Sequence, residues 1–220
     1  MKTIKSALFA VIALFAFTSA SSASPLTGVY AELGTSAVGV SLDGTVTEAD
    51  NTIPEITTGQ IGKTAITVSY GLGYMTNRAR TFGLDVGYMW NPGEAKIKSD
   101  TSDKNGNVTF EVSDSTDYYL SPMINLSEDA SIYFKYGKTK SDVNVVGDVT
   151  KINNMDGETL ALGSIMSWGT KMYIRAEAGT TEYDRINVTG LGGTGGVPTD
   201  TTVTASPSVH FGKVAVGFKF

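Results

Sequence analysis

Cysteine is missing from all 220 residues, which rules out disulfides, a thiolate metal site and a lipid attached through cysteine. Histidine occurs once, as His210, so any chemistry that needs an imidazole has one position to use. Basic residues number 17 against 22 acidic ones, a net charge of −5. An acidic chain is a poor partner for nucleic acid, and none is expected. Beyond the N-terminus there is no long apolar run, although 41% of the residues are hydrophobic. Hydropathy alone would read such a chain as water-soluble, yet a strand that turns only every second residue toward lipid gives the same average.

The one apolar stretch, Ala7 to Phe17, follows Lys2 and Lys5 and precedes small residues in which Ser21-Ser22-Ala23 forms an A-x-A-like cleavage site. It is shorter than the ~18 residues a spanning helix needs. Residues 1–23 are therefore expected to be a cleaved signal peptide, with residues 24–220 as the mature domain. Removing Lys2 and Lys5 leaves 15 basic against 22 acidic residues, a net charge of −7.

Eight candidate strands follow: Leu26 to Leu42, Ile61 to Thr76, Thr81 to Asn91, Thr109 to Asn125, Ala130 to Ser141, Glu158 to Trp168, Thr170 to Tyr183 and Ser208 to Phe220. Each reaches the ~9–11 residues that cross a bilayer. The connections alternate in length. Residues 77–80, 126–129 and the neighbourhood of Gly169 read as tight turns, while 43–60, 92–108, 142–157 and 185–207 read as long polar loops rich in Gly, Asp, Asn and Thr.

Parity separates two faces. In the second strand Ile66, Val68, Tyr70, Leu72 and Tyr74 share one side and Thr67, Ser69, Gly71 and Gly73 the other. The third, fifth and seventh strands repeat the pattern, with bulky apolar residues opposite glycines and isolated charges. That suits lipid outside and a narrow lumen inside. Tyr74, Phe82 and Trp168 near one rim, and Tyr88, Trp90, Tyr118 and Tyr136 nearer the other, look like two aromatic girdles; ordinary strand aromatics are the alternative. Pro122 inside the fourth strand predicts a bulge or an early strand end. The apolar parity of the first strand switches between Leu33 and Val38, which predicts a bulge or emergence above the membrane.

The last seven residues alternate strictly and end on Phe218-Lys219-Phe220, which resembles the assembly signal of bacterial outer-membrane barrels. With the strand count and loop alternation, the whole mature chain resembles the small OmpA/OmpX-like outer-membrane barrel family, including opacity-type adhesins and small porins. The resemblance implies an all-β, eight-stranded antiparallel up-and-down transmembrane barrel, with Phe218 and Phe220 read by the barrel assembly machinery during insertion. It also implies outer-membrane lipid and lipopolysaccharide as surroundings, a monomeric state and an extracellular ligand for the loops.

Inside such a barrel, Glu32, Asp85 and Glu177 would face Lys135, Arg175 and Lys213. At ~3.3 Å per residue and ~40° of tilt they should share a layer roughly 10–20 Å above the turns. Charges in a narrow lumen are costly unless paired. The expectation is a salt-bridged plug, and the alternative is a charged gate for small ions.

The resemblance also admits lipid A-modifying enzymes, whose chemistry would need Ser208 and His210 with a carboxylate. No strand places an obvious carboxylate beside them, and no catalytic residue is expected. The glycines of 192–196 lack the Lys-Ser/Thr of a phosphate loop. Asp43, Glu48, Asp50 and Glu55 match no Ca²⁺ loop spacing, so neither a metal nor a cofactor is expected. Two roles remain: a scaffold presenting four long loops for envelope integrity or adhesion, and a narrow channel using space left beside the Gly-lined second and third strands.

Overall fold

The computed structural model describes residues 26–48, 55–78, 81–98, 109–192, 199 and 201–220. The proposed leader and Asp50 lie outside them, as do residues 193–196 of the glycine run. Nine strands form one sheet among the described residues: β1 (Gly28–Glu48), β2 (Glu55–Arg78), β3 (Phe82–Lys98), β4 (Thr109–Asn125), β5 (Ala130–Val146), β6 (Asn154–Trp168), β7 (Met172–Tyr183), the short β8 (Ile186–Thr189) and β9 (Thr202–Lys219). Neighbours pair antiparallel in the order β1 to β7 and then β9, and β9 pairs back onto β1 to close an eight-stranded barrel. Beside this wall, β8 lies on the far end of β9. At the short-turn end closure pairs both edges of every strand and so removes the free edges that would otherwise recruit other chains. The last residue is tied in as well, Phe220 N donating to the Val29 carbonyl at 3.0 Å.

Several strands run well past the spans that sequence periodicity marks. β1 continues six residues beyond Leu42, β5 five beyond Ser141, and β9 begins at Thr202. The supposed long loops are thus partly wall, and Pro92 lies inside β3. The cause is a reversal of polarity along each strand. On β5 the inward residues run Tyr133, Lys135, Thr139, Ser141, Val143, Val145, and the outward ones Ile132, Phe134, Tyr136, Lys138, Lys140, Asp142. At the short-turn end the barrel is apolar outside, and inside it carries the charged side chains together with a small apolar cluster of Leu26, Met75, Met123 and Ile165. At the long-loop end it is polar outside and filled by Val40, Leu42, Phe110, Val143, Val145, Val149, Met155, Ile186 and Val188. The first pattern is a barrel in lipid and the second a barrel in water.

This reversal also explains the parity switch in the first strand. Pairing of β1 with β2 and with β9 is continuous, without a bulge. Val40 and Leu42 turn inward because the strand has risen into the water-facing cap. Pro122 causes no bulge either. β4 runs through it to Asn125 with unchanged register, losing only the rungs to β5 at residues 121 and 122. The missing donor falls on that seam, and the ring faces outward. The real irregularity is at Asp114, whose φ of 44° accompanies register shifts on both sides of β4.

The cap has an apolar core of its own. Val188→Asp would bury an unpaired carboxylate where the native side chain is 1% exposed. The variant is expected to let protease cut the cap while the lipid-embedded barrel keeps its heat-modifiable gel migration. Limited proteolysis of the refolded protein in vesicles checks this.

Candidate functional site

Strict alternation in the lipid-facing half aims every second side chain at the lumen. Seven of those residues meet there in an unbranched chain of alternating charge. Arg175 bridges Asp85 (Nη2 to Oδ2, 2.7 Å) and Glu32 (Nε to Oε2, 3.0 Å). Lys213 bridges Glu32 at 3.3 Å and Glu177 at 3.7 Å. Lys135 bridges Glu177 at 3.2 Å and Asp117 at 2.8 Å. Register builds this layer: Glu177 faces Lys213 across β7 and β9, and Glu32 faces Gly217 across β1 and β9. None of the seven side chains is more than 6% exposed.

Four tyrosines complete the layer. Tyr30 donates to Asp85 at 2.7 Å and shares a 2.6 Å hydrogen bond with Tyr119. Tyr133 donates to Glu177 at 2.7 Å and Tyr173 to Glu32 at 3.0 Å. Their rings surround the Arg175 guanidinium, with centroids 5.3 to 5.9 Å from its carbon. The space above Gly73 and Gly87, which sequence reading leaves open for a channel, is filled by the rings of Tyr30 and Tyr119. Above the ions a row of hydroxyls, Thr139, Thr159 and Thr181, runs across β5, β6 and β7 and ends on Asp117.

Glu32, Asp85, Lys135, Arg175, Glu177 and Lys213 thus converge in the lumen, joined by two groups that sequence reading passes over. Asp117 is one and the tyrosine set is the other. Their signal is parity: Asp117 and Tyr119 share a face on β4, as Tyr133 and Lys135 do on β5. The girdle residues Phe82, Tyr118 and Trp168 face outward with about two-thirds of their surface free (64%, 64% and 67%). Trp90 stacks on Tyr70 at 5.7 Å and Tyr88 tilts against Tyr118 at 5.0 Å. Tyr136 is outward at the level where Lys138 pairs with Glu158. Tyr74 is half-buried. Phe218 and Phe220 are outward and pack edge to face at 5.5 Å.

One sequence expectation about chemistry needs correction. A carboxylate does stand near Ser208: Glu182 is its direct partner across β7 and β9, while His210 faces Thr180. Parity within one strand cannot reveal a neighbour contributed by another.

The family model for the outer membrane protein β-barrel domain matches residues 7–220. The chain belongs to that family and is an outer-membrane β-barrel protein. Among solved structures it is similar to OprG of Pseudomonas aeruginosa, at 12% identity over 88% of this chain and 96% of that one, with a TM-score of 0.49. It is also similar to Ail, the attachment invasion locus protein of Yersinia pestis, at 12% identity over 85% and 99%, with a TM-score of 0.41. A third is the outer membrane protease OmpT of Escherichia coli, at 7% identity over 91% and 99%, with a TM-score of 0.47. At such identities no residue's role carries across. No curated protein sequence matches the chain.

Proposed function

We propose that the protein is a closed-lumen scaffold of the outer membrane whose function resides in its extracellular cap, serving envelope integrity or surface interaction. The observation that supports this most is the ion-pair layer. Seven charged side chains and four tyrosines fill the section of the lumen that any solute would have to cross. Hydration of an ion path there would require parting pairs that hold each cation between two carboxylates, which is costly in a water-poor interior. Short turns of an outer-membrane barrel face the periplasm and long connections the outside, so the polar-walled cap projects outward. Lipid and lipopolysaccharide would meet the apolar band, and the barrel would act as a monomer after loss of residues 1–23.

Conductance across planar bilayers tests the reading. Mature protein, confirmed as a closed barrel by heat-modifiable migration, should give no steady openings. Reproducible openings whose ion selectivity changes in Lys135→Gln would replace the scaffold by a gated pore. A change in the mass of lipid A on incubation with the protein would instead establish an enzyme.

A further inference from the structure

Between the ion-pair layer and the apolar cap lies a cavity of about 120 Å³. Its floor is Asp117, Lys135, Glu177 and Lys213, and carbon from Val38, Val40, Met89, Val112, Val209 and Phe211 lines its sides. A cavity of about 150 Å³ with apolar walls holds a benzene ring, so this one has room for a molecule of that order.

Two observations specify the occupant. The first is a charge imbalance. Among the described residues the layer contains four carboxylates and three cations. Glu32 and Glu177 each touch two cations, whereas Asp85 and Asp117 touch one. Asp85 is sealed beneath the Tyr30 hydroxyl and Arg175 and does not line the cavity. Asp117 does line it. Lys219 does not redress the balance, because it lies six residues further along β9, roughly 20 Å away at the periplasmic end. Asp117, a buried carboxylate with one cation and the Thr139 hydroxyl where Glu32 and Glu177 each have two cations, is the place in the layer for further positive charge.

The second observation is a seam in the wall that lacks ladder hydrogen bonds. The β2–β3 ladder stops at Tyr70 opposite Trp90. Above that level β2 stays paired with β1, and β3 with β4. The wall between β2 and β3 is therefore unlaced, bridged higher up where Lys63 Nζ donates to the Lys96 carbonyl at 3.1 Å. Thr67 and Gly93 meet across this seam, where a Cβ on Gly93 would fall 3.2 Å from the Thr67 methyl, and both line the cavity, so passage requires the two strands to part. The sill of the seam is the stacked Tyr70–Trp90 pair, and exposed Glu94 and Asp114 stand on its rim. Aromatic faces and carboxylates both favour a cation.

We propose that this cavity binds a small organic cation, an amine with an apolar body no larger than about one six-membered ring, which enters where the unlaced strands β2 and β3 part and sets its ammonium against Asp117. The occupant stays above the ion-pair layer, so the site is independent of whether the lumen conducts.

The test is an NMR titration of the refolded mature protein with benzylamine, benzyl alcohol and benzoate, three probes of one shape and different charge. Benzylamine should give saturable shifts at Gly93, Val112 and Val209. Benzyl alcohol should bind about tenfold more weakly or worse, a difference of about 1.4 kcal/mol, and benzoate should not bind there. Asp117→Asn should reduce benzylamine to the level of the alcohol. Because that change also touches Lys135, Gly93→Val supplies a second arm, packing the seam against Thr67 without altering any charge. It should abolish or greatly slow the shifts. Equal affinity for amine and alcohol would overturn the proposal, since the odd carboxylate would then carry a proton. Shifts that never saturate and map to lipid-facing residues, or that persist in both variants, would also overturn it.

Discussion

Replacing Arg175 by methionine should lower the stability of the barrel by about 3–5 kcal/mol, the usual result of removing one partner from a buried ion pair. The arginine is fully buried and holds Asp85 and Glu32 at 2.7 and 3.0 Å. Methionine fills a similar space without charge, so packing against the four tyrosines is largely kept and the loss is electrostatic. Asp85 is left with the Tyr30 hydroxyl and no cation, and Glu32 with the Tyr173 hydroxyl and one cation, Lys213. Urea unfolding in lipid vesicles, followed by tryptophan fluorescence, reads the loss as a shift in midpoint. The triple variant Arg175→Met, Asp85→Asn, Glu32→Gln should recover more than half of it. Both stranded carboxylates are then neutral, and Lys213 still has Glu177. Failure to recover would place the arginine's contribution in its contacts with the rings. A single variant as stable as the parent would mean that water reaches the layer and screens it.

What could be read from the sequence follows the polarity of the two faces. In the lipid-embedded half most strands set bulky apolar residues outward against inward faces rich in small or charged ones, so period-two alternation marks the strands and their orientation. Higher up, the outward face becomes polar and the inward face apolar. A reading that takes apolar as outward then sees the pattern break, as it does between Leu33 and Val38, and assigns loop to what is wall. Asp117 was hidden for a related reason. On β4 the inward face carries Tyr119 and Met123 while the outward face carries Pro122, so the contrast is weak, and the irregularity at Asp114 resets the parity just before it. The pairing of Glu182 with Ser208, and the early end of the β2–β3 ladder, depend on register between strands. Alternation within a strand carries no information about either.

Gly217→Ala should be nearly as damaging as the loss of Arg175, although it adds one methyl group. A Cβ at Gly217 would fall within the Tyr173 ring. That ring is fully buried, packs edge-on against Tyr30 at 5.6 Å and donates to Glu32 at 3.0 Å. It cannot swing aside without giving up the carboxylate that also compensates Arg175 and Lys213. Overpacking of this kind costs about 1–3 kcal/mol, and a lost hydrogen bond to a charged group adds about 1.5–3 kcal/mol. Gly212→Ala on the same strand is the control. It faces outward with nothing within 4 Å of a new Cβ, so its effect should stay within about 0.5 kcal/mol. Tyr173→Leu combined with Gly217→Ala should lose less than the sum of the two single changes, because the ring that clashes is gone. Vesicle unfolding midpoints for the four variants decide the matter. A silent Gly217→Ala would show a lumen soft enough to give way around a methyl group. A closed scaffold predicts the opposite, because the glycine faces exist to receive the tyrosines that fill the barrel.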